Sequence, residues 1–312
     1  MSELVTPDDI ERAAALLDGW VRRTPILHVR TGELGLPVRA VLKLELLQHA
    51  GSFKARGAFH RVLTAGEIPA AGLIAASGGN HGAAVAHVAH ALGHPAEVFV
   101  PSTSPPLKRE RIASLGARVV VVEGYYDDAQ QAADARAAES GAFTVHPYDH
   151  AAVVAGQGTM GCELEAQVPE LDTIVVACGG GGFIAGQAAW FRDRVRIVSV
   201  EPETSQCLRA ALRAGHPVDV EVEGLAADSL GARRLGAVPW TLVERFVDEA
   251  VTVSDDEIRA AQRAAWAELR LVVEPGGAAA LAALRCGAYR PQSGERIAVV
   301  ICGANCDPAS VQ

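Results

Sequence analysis

The sequence predicts an α/β fold of two open, largely parallel sheets with helices on both faces. From Gly72 onward, short apolar runs alternate with Ala-rich helical stretches, the pattern of buried parallel strands and their crossovers. The same alternation resumes after Thr173. The chain has 312 residues, 49% of them apolar, which is enough for two packed lobes.

The first helix is marked by Thr6 as cap, Pro7 in the first turn and an apolar face of Ile10, Ala13, Ala14 and Leu17. Val38 to Leu44 reads as a strand and Ser52 to Leu63 as a helix. Next come strand Leu73 to Ala76, helix Gly82 to Leu92 and strand Glu97 to Val100. Ser104 is placed to cap a following helix and Pro105 to open it. Arg118 to Val122 is a strand and Asp127 to Glu139 a helix. Thr173 to Ala177 is a strand that runs into Gly179 to Gly182, followed by a helix to Trp190 and strand Arg196 to Val200. Ser254 and Glu257 form a capping box for a helix to about Arg270, and Arg296 to Ile301 is the last strand. The pattern divides the chain into a larger domain, 1–69 plus 150–312, and a smaller one, 70–149.

Lys and Arg number 28 against 37 Asp and Glu, a net charge of -9, with no basic block. Nucleic acid is therefore not an expected partner, because binding its backbone takes a concentrated positive surface. No basic, apolar leader is seen, nor a run of about 18 apolar residues able to cross a bilayer. A cytoplasmic protein without membrane contact is expected, and no regulatory module is expected after the last strand. The six cysteines form no pair of metal-binding dyads, so all but Cys302 are expected to be small buried thiols. His87 and His90 share a helix but lack a third ligand.

Four segments at or beside strand ends stand out, where open parallel sheets bind ligands. In Gly51-Ser52-Phe53-Lys54-Ala55-Arg56-Gly57, Lys54 is a cation in a first helical turn, poorly placed against the helix dipole. It is either a solvent-facing lysine or an imine-forming amine. Ala76-Ser77-Gly78-Gly79-Asn80-His81-Gly82 is either a capped turn or a ring of donors around a carboxylate or hydroxyl. Gly179, Gly180, Gly181 and Gly182 cost backbone entropy, and with the next helix N-terminus they could hold a phosphate dianion. The spacing fits neither a dinucleotide fingerprint nor a P-loop. In Cys302-Gly303-Ala304-Asn305-Cys306-Asp307, Cys302 is either core or a neutral thiol partner for a ring nitrogen.

Ser-Phe-Lys-x-Arg-Gly-Ala, Ser-Gly-Gly-Asn-His-Gly, the tetraglycine and the late Cys-Gly-x-Asn, in that order, resemble the fold-type II pyridoxal-phosphate family of threonine and serine dehydratases and serine racemase. The resemblance runs from about Arg23 to Asp307. It implies two open parallel α/β domains with the cofactor, pyridoxal 5'-phosphate, between them. Lys54 would hold the cofactor through an imine and act as the base at Cα. Phe53 would pack beside the ring, Asn80 would bond its 3-hydroxyl and Gly179 to Gly182 would bind its phosphate. Cys302 would face the pyridine nitrogen, and Glu274 would be the acidic residue near the ring. Ser77, Gly78, Asn80 and His81 would form the loop for the substrate carboxylate. A homodimer is implied as well.

A thiol is a weak donor, so Cys302 would leave the ring nitrogen largely unprotonated, which suits prompt loss of a β-substituent. The implied reaction converts a small 3-hydroxy amino acid, foremost L-threonine or L-serine, to a 2-oxo acid and ammonia, with a 3-hydroxyaspartate or phenylserine dehydratase, an amino acid racemase and, last, a noncatalytic binding protein of the same fold as alternatives. Three positions depart from relatives. Gly78 stands where the racemases carry a serine, which disfavours racemisation. Glu201 and Ser205 match part of a divalent-metal site, but Cys207 replaces its aspartate, so a metal is not expected. Ser229 replaces a glycine near the ring, where it could narrow the pocket or bond a substrate side chain, and Arg233 or Arg234, if either reaches the pocket, would favour an acidic substrate.

Overall fold

Ten strands in two sheets carry the described part of the structure, a computed structural model covering residues 4–311. Residues 1–3 and 312, assigned by sequence to the larger domain, lie outside the described residues. In chain order the strands are β1 (Ile26–Val29), β2 (Ala40–Lys43), β3 (Leu73–Ala76), β4 (Ala96–Pro101), β5 (Arg118–Val122), β6 (Phe143–Thr144), β7 (Thr173–Ala177), β8 (Arg196–Pro202), β9 (Glu249–Val253) and β10 (Ile297–Val300). The larger sheet has the order β1-β2-β10-β7-β8-β9 and the smaller β5-β4-β3-β6. Pairing is parallel throughout except for β1, which joins β2 antiparallel at one edge.

The helices are α1 (Pro7–Leu17), α2 (Lys54–Leu63), α3 (Asn80–Leu92), α4 (Pro106–Ser114), α5 (Tyr126–Ser140), α6 (Ala151–Gln167), α7 (Gly182–Phe191), α8 (Cys207–Ala214), α9 (Ala227–Leu230), α10 (Ala237–Phe246), α11 (Asp255–Leu269) and α12 (Pro275–Cys286). Thr6 caps α1 and the capping box of Ser254 with Glu257 starts α11, as the sequence predicts; Asp9 completes a second box at Thr6. The expected cap at Ser104 is not made: α4 begins one residue later, with Pro105 as its cap residue. Ser104 instead turns its hydroxyl towards Gly78.

Helix α6 was not assigned from the sequence. Its glycines are contact points. A Cβ on Gly158 would fall 2.9 Å from the Gly186 carbonyl oxygen, so two glycines let α6 and α7 press backbone to backbone. The smaller sheet is covered on one face by apolar residues of α3, such as Val85 and Val88, and on the other by Ala129 and Ala133 of α5.

Under α2 lies a buried ionic cluster. The Arg56 guanidinium donates to Glu45 at 2.8 Å and to Glu163 at 2.9 Å, and Lys43 also pairs with Glu163. Burial alone would raise the Glu45 carboxyl, but Arg56 outweighs it and holds it below its usual value. Of the five cysteines expected to be buried, Cys178 and Cys207 are; Cys162 and Cys306 are half-buried and Cys286 is exposed, while Cys302 is buried. Among the described residues, no helix is long and apolar enough to cross a membrane.

Candidate active site

The carboxyl ends of β3, β7 and β10 and the head of α2 bring the four singled-out segments together, at the strand ends where open parallel sheets bind ligands. The segment leading to Lys54 is stitched to the chain just past β10: Phe53 N–H donates to the Cys302 carbonyl at 3.2 Å, and Ala304 N–H to the Gly51 carbonyl at 3.0 Å. This pairing fixes where α2 begins and therefore where Lys54 stands. Its Nζ donates to the Pro147 carbonyl at 2.9 Å, just past β6. Burial pulls the amine down to about 8, against the opposing influence of Cys302 and Glu274. Of the two alternatives for Lys54, the solvent-facing one does not hold. Phe53 stacks on Phe183 with centroids 4.0 Å apart, which ties the approach to Lys54 to the first turn of α7.

Asn80, Glu274 and Asn305 form a buried polar junction. Asn80 Nδ2 donates to Glu274 Oε1 at 2.5 Å, and Asn305 Nδ2 donates to Asn80 Oδ1 at 2.6 Å and to the Ala50 carbonyl at 2.8 Å. Burial raises the Glu274 carboxyl to about 7, opposed by Asn80, by Lys108 and by the Asn305 backbone N–H. Gly303 passes so close that a Cβ there would stand 1.8 Å from Glu274 Oε1. Cys302 is buried and donates its thiol to the Gly276 carbonyl at 3.6 Å; burial, then Glu274, pushes its pKa up and keeps it a neutral thiol.

In the loop after β3, Ser77 Oγ accepts from Gly79 N–H at 3.2 Å. A Cβ on Gly78 would lie 2.2 Å from Ser104 Oγ and 3.0 Å from Val100 Cγ1, so this position has no room for a side chain. His81 turns inward, its Nε2 2.7 Å from the Val145 carbonyl, and burial, reinforced by Lys54, lowers it to about 3. The ring is thus neutral and anchors α3 to the strand end beside Lys54.

Gly181, with φ of 90°, caps α7. A Cβ on Gly180 would meet the Tyr148 ring at 2.4 Å, and one on Gly182 would meet the Tyr148 carbonyl at 2.7 Å. The tetraglycine therefore serves Tyr148 packing as well as presenting amides at the start of a ten-residue helix. Tyr148, Asn305, Lys108 and Ser104 were not assigned from sequence; only Asn305 had a signal, as the fourth residue of Cys-Gly-x-Asn.

The remnant metal residues are otherwise engaged. Glu201 accepts from the N–H of Leu208 at 2.8 Å and of Arg209 at 2.9 Å, capping α8. Ser205 Oγ donates to the Leu230 carbonyl at 3.1 Å, and Cys207 donates its thiol to the Gly179 carbonyl at 3.2 Å. A hard cation needs oxygen ligands, and here a thiol donor faces the carbonyl, so this set does not fit one. Ser229 Oγ accepts from Gly276 N–H at 3.1 Å, capping α12. Arg233 pairs with Asp127 at 3.6 Å and Arg234 with Asp219 at 3.1 Å, all four largely exposed. Neither arginine reaches Lys54.

A partly desolvated amine at about 8, glycine amides at a helix start and a neutral thiol, gathered at the same strand ends, fit pyridoxal phosphate. The comparisons with known proteins agree. Residues 17–303 match the family described as pyridoxal-phosphate dependent enzyme. The chain is 37% identical to phenylserine dehydratase of Ralstonia pickettii, covering 99% of this chain and 96% of that one. It is 37% identical to L-threonine ammonia-lyase of Geobacter sulfurreducens, covering 97% and 76% respectively. The structure of maize serine racemase superposes with a TM-score of 0.92 at 30% identity, covering 99% of this chain and 96% of that one. The chain belongs to the pyridoxal-phosphate dependent enzyme family, in its fold-type II branch.

Proposed function

We propose that the protein is a cofactor-dependent ammonia-lyase that converts a small 3-hydroxy amino acid, foremost L-threonine or L-serine, to a 2-oxo acid and ammonia. The observation that carries this is the half-buried Lys54 amine, held at Pro147 with a pKa of about 8, so that much of it is neutral near pH 8. The cofactor, when bound, withdraws electrons from the substrate Cα. The remaining work belongs to the chain. Lys54 Nζ takes the Cα proton, which balances the proton the β-hydroxyl takes up as it leaves as water; Gly179 to Gly182 would bind the phosphate and Asn80 would orient the ring. Ser77 and the amides around Gly78 receive the substrate carboxylate, while His81 holds that loop in place. Cys302, a neutral thiol, does not protonate the ring nitrogen, which favours loss of the β-hydroxyl over racemisation. Residues 1–69 with 150–312 and residues 70–149 are the two domains on either side of this cleft.

A second reading, an aryl 3-hydroxy amino acid as substrate, is favoured by the identity with phenylserine dehydratase. The exposed, paired state of Arg233 and Arg234 speaks against 3-hydroxyaspartate. We further propose turnover without a divalent metal, a homodimer, and residence in the cytoplasm. Purified protein is tested with L-threonine, L-serine, 3-hydroxyaspartate and phenylserine while absorbance, 2-oxo acid and ammonia are followed. Stoichiometric release of both products, lost in Lys54→Ala, is the expected result; product release undiminished in Lys54→Ala would refute the mechanism.

A further inference from the structure

Two ion pairs join the smaller sheet's helices to the segment 227–234 of the other half. Arg233 and Asp127 are 69% and 77% exposed and 3.6 Å apart, so solvent screens them almost fully. Lys108 of α4 differs: its side chain is only 14% exposed where it pairs with Asp228 of α9, itself 50% exposed. The surroundings of this pair give it a further role. The Asp228 carbonyl oxygen lies 3.3 Å from where a Cβ on Gly79 would stand, so the substrate loop rests directly on the Asp228 backbone. The next residue, Ser229, caps α12 through Gly276 N–H, and Glu274 at the head of α12 accepts from Asn80. A closed circuit results, from Asp228 through Ser229, the head of α12 with Glu274, Asn80 and Gly79 back to Asp228, and Lys108 grips it at Asp228.

We propose that Lys108 is a positioning residue that holds the substrate loop, Ser77 to Asn80, against the opposite half of the cleft by gripping Asp228. Without the ammonium, the half-exposed Asp228 loses the partner that ties it to α4 and turns to solvent. The contact between Gly79 and the Asp228 backbone then loosens. Lys108 touches neither the reacting atoms nor the cofactor in this scheme; it acts through Asp228. The role rests on the proposed function for its effect on turnover, but the loop's order is measurable apart from it.

Hydrogen exchange of the holoenzyme is measured at the amides of residues 77–80 for wild type, Lys108→Met, Asp228→Asn, the double variant and Lys108→Arg. The single variants are expected to exchange about tenfold faster there, the double variant no faster than either single one, and Lys108→Arg close to wild type. Steady-state turnover should show KM raised about tenfold in Lys108→Met with kcat changed far less, because the loss falls on substrate positioning. Unchanged exchange in Lys108→Met, or effects of the two single variants that simply multiply, would overturn the proposal. Loop exchange that responds in a wild-type background releasing no 2-oxo acid would uphold the latch and defeat the ammonia-lyase reading instead.

Discussion

The Nζ of Lys54 lies 2.9 Å from the carbonyl oxygen of Pro147, so the segment just past β6 of the smaller sheet supplies the acceptor that holds the amine at the head of α2. Only the neutral amine attacks an aldehyde. Since burial brings Lys54 to about 8, the rate at which apoprotein captures pyridoxal phosphate should rise with pH and level off just above 8. A solvent-exposed lysine would continue to gain up to about pH 10. Stopped-flow absorbance between pH 6.5 and 10, values in roughly the range separating these two cases, distinguishes them.

Racemisation should not be restored by Gly78→Ser alone. The new Cβ would stand 2.2 Å from Ser104 Oγ and 2.9 Å from Ser104 Cβ. That overlap should cost about 1–3 kcal/mol and displace the loop. Gly78→Ser with Ser104→Gly removes the overlap and should recover the melting temperature. Chiral chromatography of recovered substrate then shows whether the hydroxyl on the second face suffices to form the opposite enantiomer.

Arg56→Met should destabilise the fold by about 3–5 kcal/mol in urea denaturation, because it strands Glu45 without its buried partner. The pH dependence follows in sign. Glu45 is held below its ordinary value when folded, so its contribution is complete above about 4.5 and is lost as pH falls through the folded value. The variant should lack that acid-side loss.

Chelator should leave the melting temperature and turnover of the wild type unchanged, since the Glu201 oxygens are occupied by the N–H groups of α8 and Cys207 bonds the Gly179 carbonyl. Cys207→Asp places a hard ligand beside that carbonyl. Calcium should then raise the melting temperature of the variant but not of the wild type. A calcium response in the wild type would contradict the assignment.

Much of the fold was legible because its signals are local. Thr6 with Asp9 and Ser254 with Glu257 satisfy the orphan N–H groups of their own helices, and runs such as Leu73 to Ala76 need only their composition to read as buried strands. Lys54, the tetraglycine and Cys302 were likewise visible, since each is an unusual residue choice beside a strand end. Helix α6 was hidden because a helix buried all round has no polar face, and its glycines signal close contact only once α7 is in place.

The sequence by itself singled out the residues proposed to bear the chemistry: the Lys54 amine, the glycine loop and the Cys302 thiol. Only the tertiary structure decided how they are held. Pro147 accepts from Lys54 through a backbone atom, and a carbonyl leaves no mark in the residue type. Lys108 finds Asp228 across 120 positions of chain, and Ser104, which reads locally as a cap, excludes a side chain at Gly78. Such pairings depend on two surfaces meeting, and only packing the two sheets together brings those surfaces into contact.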